Sequence, residues 1–256
     1  MRDPAADFRN RLQAMTGAGW TSRTRLLLGD EAVDRFTRSH VLVVGLGGVG
    51  SYAAEFIARA GVGRMTIVDG DVVDPSNRNR QLPALTSTEG HLKIEVMRSR
   101  LRDINPELAV IPMQEFVTPA RMDRLLSASY DFIVDAIDSL APKVALLHEA
   151  HRRGFRIVSS MGAGGKVDPS MIRIADIADS QKCRLARFVR KRLHRVGIRT
   201  GITAVYSLEE VDDDSLMYTD GTNFKRSAFG TAPYLPAAFG AACASVVIRG
   251  IAGREI

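Results

Sequence analysis

The sequence predicts an α/β protein: a Rossmann-like, doubly wound, mostly parallel sheet with helices on both faces and a C-terminal extension. Three observations carry that expectation. From Val41 onward, short continuous Val/Ile/Leu runs alternate with amphipathic stretches, the rhythm of βαβ units whose strands are covered on both sides. Gly45-x-Gly47-x-x-Gly50 follows the first run and opens the first amphipathic stretch, which is the context a phosphate-cradling turn requires. Asp69 closes the second run, where a carboxylate can accept from a ribose hydroxyl.

The elements follow in order. Residues 1–40 read as an N-terminal helical segment of one or two helices packed outside the sheet. The nucleotide-binding core spans 41–165, with strands at 41–44, 65–68, 109–112, 132–134 and 156–159. Helices lie between them at 51–60, 91–104, 119–126 and 142–153, the first closed by Gly61 and the last by Gly154. After Ser160 the rhythm changes. A glycine-rich turn at 162–165 leads to a strand at 171–175, then a basic helix at 182–196. An acidic, less regular span at 209–214 precedes an apolar C-terminal helix. No repeats or low-complexity linkers occur, so 1–256 reads as one domain with an inserted or appended lobe.

Composition excludes several classes. At 256 residues, 45% apolar and 25% charged, the chain is an ordinary globular protein. It opens without a continuous apolar run of the secretory kind. The longest weakly polar stretch, 234–248, is too short to span a bilayer comfortably and contains Pro236 and Gly240. Cys183 and Cys243 stand far apart with no CxxC partner, which excludes a disulfide framework and a four-cysteine zinc site. A reducing cytoplasm fits.

Charge is local. Lys182, Arg184, Arg187, Arg190, Lys191, Arg192 and Arg195 fall in one stretch without an acid. Taking those seven from a net charge of +6 leaves −1 for the rest of the chain. Leu185, Val189, Leu193 and Val196 recur through it at helical spacing. A solvated charged face is the plain reading. A polyanion is the other, because phosphate contacts release counterions.

The glycine turn taken alone is a dinucleotide fingerprint, and a nicotinamide-dependent oxidoreductase would satisfy it. In it, Gly45 makes the tight turn, Gly47 admits phosphate and Gly50 lets helix and strand pack closely. The segment from Asp69 and Asp71 to Asn77, Arg80 and Gln81 adds acids, an amide and a guanidinium just past the second strand. Attack on an α-phosphate builds charge on non-bridging oxygens, which cations aimed at those oxygens stabilise. Arg80 is suited to phosphate, Lys93 is a second cation, and Asp138 brings a carboxylate to the same edge, able to share a hard Mg2+ with phosphate oxygens. A surface Lys93 and an Asp138 that only caps the next helix are the alternatives. Read together, these residues describe an ATP-dependent enzyme that adenylylates a carboxylate.

These stretches resemble the adenylation domain of the ubiquitin-activating-enzyme-like (ThiF/MoeB/HesA) superfamily. Closer phrases resemble one branch, the tRNA threonylcarbamoyladenosine dehydratases: Arg23-Thr-Arg-Leu-Leu-Leu-Gly29, Ile104-Asn-Pro106, Val134-Asp-Ala-Ile-Asp-Ser139, the run from Ser159 to Pro169, and Pro236-Ala-Ala-Phe-Gly240. The resemblance runs from about residue 23 to 249. It departs at Cys183-Arg184-Leu185, where Asp-Pro-Leu is expected; Cys183 reads as a small helix-start residue and Cys243 as core.

The resemblance implies ATP-dependent cyclisation of threonylcarbamoyladenosine in tRNA. The threonyl carboxylate is adenylylated, and a nitrogen or oxygen of the neighbouring carbamoyl group then closes a ring and expels AMP, so the net change is loss of water. The second step is intramolecular and calls for no acceptor cysteine. By motif position, Arg80, Lys93 and Asp138 are catalytic, with Mg2+ at Asp138. Gly45, Gly47, Gly48, Asp69, Asp71, Asn77 and Gln81 hold ATP. The same resemblance implies a homodimer in which Arg23 enters the neighbouring subunit's site, and admits a sulfur-relay protein as partner. Arg187, Arg190, Lys191, Arg192 and Arg195 are the candidate tRNA contacts. The rival reading within the superfamily is an adenylyltransferase acting on the C-terminal glycine of a ubiquitin-like sulfur carrier.

Overall fold

Seven short strands form one sheet: β1 (His40–Val44), β2 (Arg64–Val68), β3 (Ala109–Met113), β4 (Phe132–Asp135), β5 (Ile157–Ser160), β6 (Ile172–Asp176) and β7 (Thr203–Ser207). The structure, a computed structural model, describes residues 19–211, 213–218 and 227–254. Residues 1–18 of the expected N-terminal helical segment and Asp212 of the acidic span lie outside them. The strand order is β3-β2-β1-β4-β5-β7-β6. All neighbours are parallel except β6, which pairs antiparallel with β7 at the edge. A separate antiparallel pair joins β8 (Leu216–Tyr218) to β9 (Ser227–Phe229).

The α-helices of the described residues are α1 (Ser22–Leu28), α2 (Asp30–Arg38), α3 (Gly50–Arg59), α4 (Lys93–Ile104), α5 (Met122–Leu125), α6 (Leu140–Arg152), α7 (Arg184–Arg195) and α8 (Leu235–Ile251). Because strand side chains alternate between faces, β1 divides its residues between two cores. Val41 and Val43 join a core with Phe36 of α2, Ile57 of α3, Met97 of α4 and Phe239 of α8. Leu42 and Val44 join a second with Leu146 of α6 and Val189 and Leu193 of α7. The sheet is therefore covered on both faces, as its unbroken apolar runs require.

The C-terminal part extends the sheet itself: β7 inserts beside β5, and β6 then pairs at the edge. The apolar C-terminal stretch becomes α8, lying across α3 with Leu235, Phe239, Cys243 and Val247 buried. No helix among the described residues is long and apolar enough to cross a membrane. The buried face of α7 is Ala186, Val189 and Leu193, packed on α6, whereas Val196 is exposed. Val196 falls off that face because α7 ends at Arg195.

Candidate functional site

The carboxyl ends of β1 and β4 are neighbours, but the chain leaves β1 towards the α3 face and β4 towards the α6 face. That divergence opens a crevice, the place where open α/β sheets bind ligands. At its floor Gly45 adopts φ 91° and donates its N–H to Val68 O at 2.8 Å. This backbone region is one that a side chain disfavours. A Cβ on Gly50 would lie 1.8 Å from Gly45 O, so α3 leaves the turn at its observed angle only with glycine there.

Asp69 locks this turn from β2. Its Oδ2 accepts from Leu46 N–H at 2.6 Å and its Oδ1 from Asp71 N–H at 2.8 Å. Burial pushes its pKa above the usual carboxylate value, against the opposing pull of Lys93 and the two N–H groups. Asp71 turns back to Lys93, the first residue of α4, whose Nζ donates to Asp71 Oδ2 at 3.0 Å. The lysine side chain is 5% exposed and the aspartate 46%. The ammonium is thus stowed at the crevice wall against a carboxylate that solvent reaches.

A single turn at Pro75–Asn77, capped by Asp74 Oδ1 accepting from Ser76 N–H at 2.8 Å, carries Asn77, Arg80 and Gln81 over the opening. Arg80 Nη1 donates to Ser76 O and Asn79 Oδ1, both at 2.9 Å. Gln81 Oε1 is buried and meets no hydrogen-bond donor among the described residues, a state that costs about 1–3 kcal/mol unless a donor arrives.

From the far wall comes β4. Its last residue, Asp135, is fully buried and accepts from Lys143 Nζ and Ser159 Oγ, each at 2.6 Å, and from Ile137 N–H at 3.1 Å. Lys143 Nζ also donates to Ser160 O at 2.9 Å. This network fixes the loop that presents Asp138, which is exposed on the crevice wall. The following helix begins at Leu140, with Ser139 at its N-cap position and Asp138 one residue before it.

Together these groups border one cleft of about 1330 Å³. Every nucleotide-site residue expected from the sequence lines it, except Arg23, which is exposed on α1. The cleft continues past Gly162 and Gly164 to Arg184, Leu185, Phe188 and Arg192 of α7. The basic helix and the glycine turn therefore share one opening.

On α7, Arg187, Lys191, Arg192 and Arg195 are exposed. Arg190 is not: it is half-buried, and its guanidinium donates to the carbonyl and hydroxyl of Ser180. It tethers α7 to the preceding turn, which corrects its expected exposure to nucleic acid. Lys182 pairs with Glu210 at 3.1 Å. Cys183 is buried at the N-cap of α7. Cys243 is fully buried, and burial pushes its thiol up to about 12.

Three features escaped the sequence. The Asp135–Lys143 pair had no sign beyond the motif containing Asp135. Lys166 is buried with Nζ donating to Gly162 O at 3.0 Å, and burial lowers its pKa. Phe188, half exposed within the basic helix, carries no signal of its own among the cations around it in sequence.

The ThiF family model matches residues 21–256. A tRNA threonylcarbamoyladenosine dehydratase of Bacillus subtilis is 42% identical over 188 residues, covering 73% of this chain and 74% of that protein. One from Escherichia coli is 38% identical over 255 residues, covering 90% and 93%. The crystal structure of the E. coli enzyme in complex with ATP superposes with a TM-score of 0.82 at 35% identity, covering 94% of each chain. Its AMP complex gives 0.81 at 36%, covering 90% and 92%.

Proposed function

The chain belongs to the ThiF family, and on that premise we propose that it is an ATP-dependent tRNA threonylcarbamoyladenosine dehydratase. The observation that carries the reading is the single cleft joining the glycine turn, the Lys93–Asp71 pair and the cationic face of α7. A triphosphate and an RNA-borne carboxylate can meet there. The ATP and AMP complexes of the E. coli relative agree with cleavage between the first and second phosphorus.

In this reading the backbone of Gly45 to Gly48 cradles phosphate beside the N-terminus of α3, whose unpaired N–H groups favour anions. Asp69 accepts from the ribose. Gln81 Oε1, without a donor among the described residues, takes one from the nucleotide. The threonyl carboxylate attacks the α-phosphorus, a P–O bond forms, and the bond to pyrophosphate breaks. Lys93 turns from Asp71 to the non-bridging oxygens as their charge grows, and Arg80 and Asn77 hold the leaving phosphates. Preorganised donors of this kind provide the largest single catalytic contribution in such reactions. The carbamoyl nitrogen or oxygen then attacks the acyl carbon, AMP leaves and a proton is released. The two groups belong to one side chain, so proximity supplies the rate.

Asp138 is the residue that would hold Mg2+. Among the described residues no cluster of three ligating side chains surrounds it, which suits an ion that keeps waters and takes most of its oxygens from phosphate. Such an ion neutralises charge on the triphosphate. Arg23 lies outside its own cleft on a helix that exposes Leu26 and Leu27, with Trp20 just before it. This supports a homodimer in which Arg23 serves the second copy's site.

Incubating the protein with ATP and total tRNA, then digesting to nucleosides for mass spectrometry, tests the reading. A nucleoside lighter than threonylcarbamoyladenosine by one water is the expected product. Unchanged nucleosides beside an enzyme that turns over ATP with a glycine-tailed carrier protein would replace this function with the rival one.

A further inference from the structure

The apolar face of α7 is complete without Phe188. Ala186, Val189 and Leu193 are buried against α6, so burial of the helix does not call on Phe188, a residue 51% exposed. Phe188 instead lies on another stripe. Arg184, Phe188 and Arg192 are spaced four residues apart, which puts them on one face of a helix, and all three line the large cleft. The ring also borders a smaller hollow of about 300 Å³ with Leu140, Lys191, Arg192 and Arg195. An exposed aromatic set between cations at the mouth of a nucleotide cleft has the composition of a surface that binds unpaired nucleic acid. The cations track phosphates while the ring face accepts a base.

We propose that Phe188 is a stacking platform for an unpaired nucleobase of the tRNA loop that carries the reacting adenosine, with Arg184 and Arg192 gripping the phosphates on either side. The proposal rests on the reading of tRNA as substrate. It adds a positional consequence: a base held on Phe188 anchors the loop at the rim, while the threonyl group extends inward past Asp138 towards the α-phosphate. Arginine and lysine alone would hold the backbone without fixing which nucleotide enters. Stacking supplies that register without reading the base's identity, since every base has a π-face.

The experiment uses the full-length protein with tRNA bearing threonylcarbamoyladenosine, and measures affinity between about 50 and 200 mM salt. Phe188→Leu keeps an apolar side chain but removes the ring, and should weaken binding about tenfold with the dependence of log Kd on log salt unaltered. Phe188→Trp should restore wild-type affinity. In a Trp20→Phe background its fluorescence should also be quenched when tRNA is added. Arg192→Gln should behave differently, flattening the salt dependence by about one phosphate's worth of slope. Wild-type affinity in Phe188→Leu, or loss of salt slope like that of Arg192→Gln, would overturn the stacking role and leave the tRNA reading intact. A wild-type protein that binds no tRNA would overturn both.

Discussion

Among the described residues, two lysine–aspartate pairs look alike in composition and differ in what surrounds them. Lys143 and Asp135 are each 0% exposed and meet at 2.6 Å. The lysine has further acceptors in Ser159 and Ser160, and the aspartate has further donors in Ser159 and Ile137. Lys93 and Asp71 meet at 3.0 Å, with the lysine stowed and the carboxylate half in water. A buried pair in which all three ammonium protons and both carboxylate oxygens are bonded is a brace, because any rearrangement leaves a desolvated charge. A pair with one wet partner is a latch. Its carboxylate can be rehydrated when a phosphate takes over the ammonium. The two pairs flank the same cleft, one shaping its wall and the other equipped to work in it.

Exchanging each lysine for methionine keeps the stem and removes the charge. Lys93→Met should cut AMP formation by about 10²–10³-fold, the cost of one donor aimed at a developing oxyanion. Its unfolding free energy in urea should change by no more than about 1 kcal/mol, because Asp71 remains hydrated. Lys143→Met should do the reverse in kind, lowering the unfolding free energy by about 3–5 kcal/mol through the charge left on buried Asp135. If Lys143→Met unfolds at the wild-type urea midpoint, the brace is no brace.

A smaller effect separates cations within α7. Neutralising Arg187, Lys191 and Arg192 together should weaken tRNA binding and make its salt slope shallower by about two to three. Arg190→Gln should instead loosen the attachment of α7 to Ser180, lowering stability by about 1–3 kcal/mol with little change in salt slope. Filter binding across a salt series, beside urea melts, distinguishes the two.

The smallest effect lies at the opposite end of β1 and controls for global stability. His40 is buried, with Nε2 at 2.9 Å from Thr66 Oγ1. Burial and then Arg64 hold its pKa below 6.5, against the weaker upward pull of Ser129 and Asp131. The unfolded chain therefore takes up a proton before the folded one. Stability should be full above pH 6.5, fall as the pH drops below it, and level off once the folded imidazole also protonates. His40→Gln should flatten that part of the urea-midpoint profile.

How much of this the sequence disclosed depended on whether a feature is local. The first five strands and the glycine turn were legible because periodicity and turn chemistry are written in consecutive residues. Asp69 and Asp138 were readable as residues just past the ends of β2 and β4, whereas Lys93, at the start of α4, was picked out by its motif position. Lys143 was not, since a lysine within a helix reads as surface until the fold closes β5 over it. β7 was missed for a related reason: Thr203-Ala-Val-Tyr-Ser207 is short, contains small and hydroxylated residues, and becomes central only by inserting between β5 and β6. Arg190 carries the same charge as its neighbours in sequence. Only the position of Ser180 takes it out of the basic face.

Which bond of the triphosphate breaks decides between this chemistry and its rivals. Phosphorus NMR of a reaction containing the protein, ATP and tRNA bearing threonylcarbamoyladenosine follows that bond directly. AMP and pyrophosphate appearing together, in step with the dehydrated nucleoside and only when tRNA is present, is the predicted result. ADP and inorganic phosphate, or AMP formed at the same rate without tRNA, would contradict it.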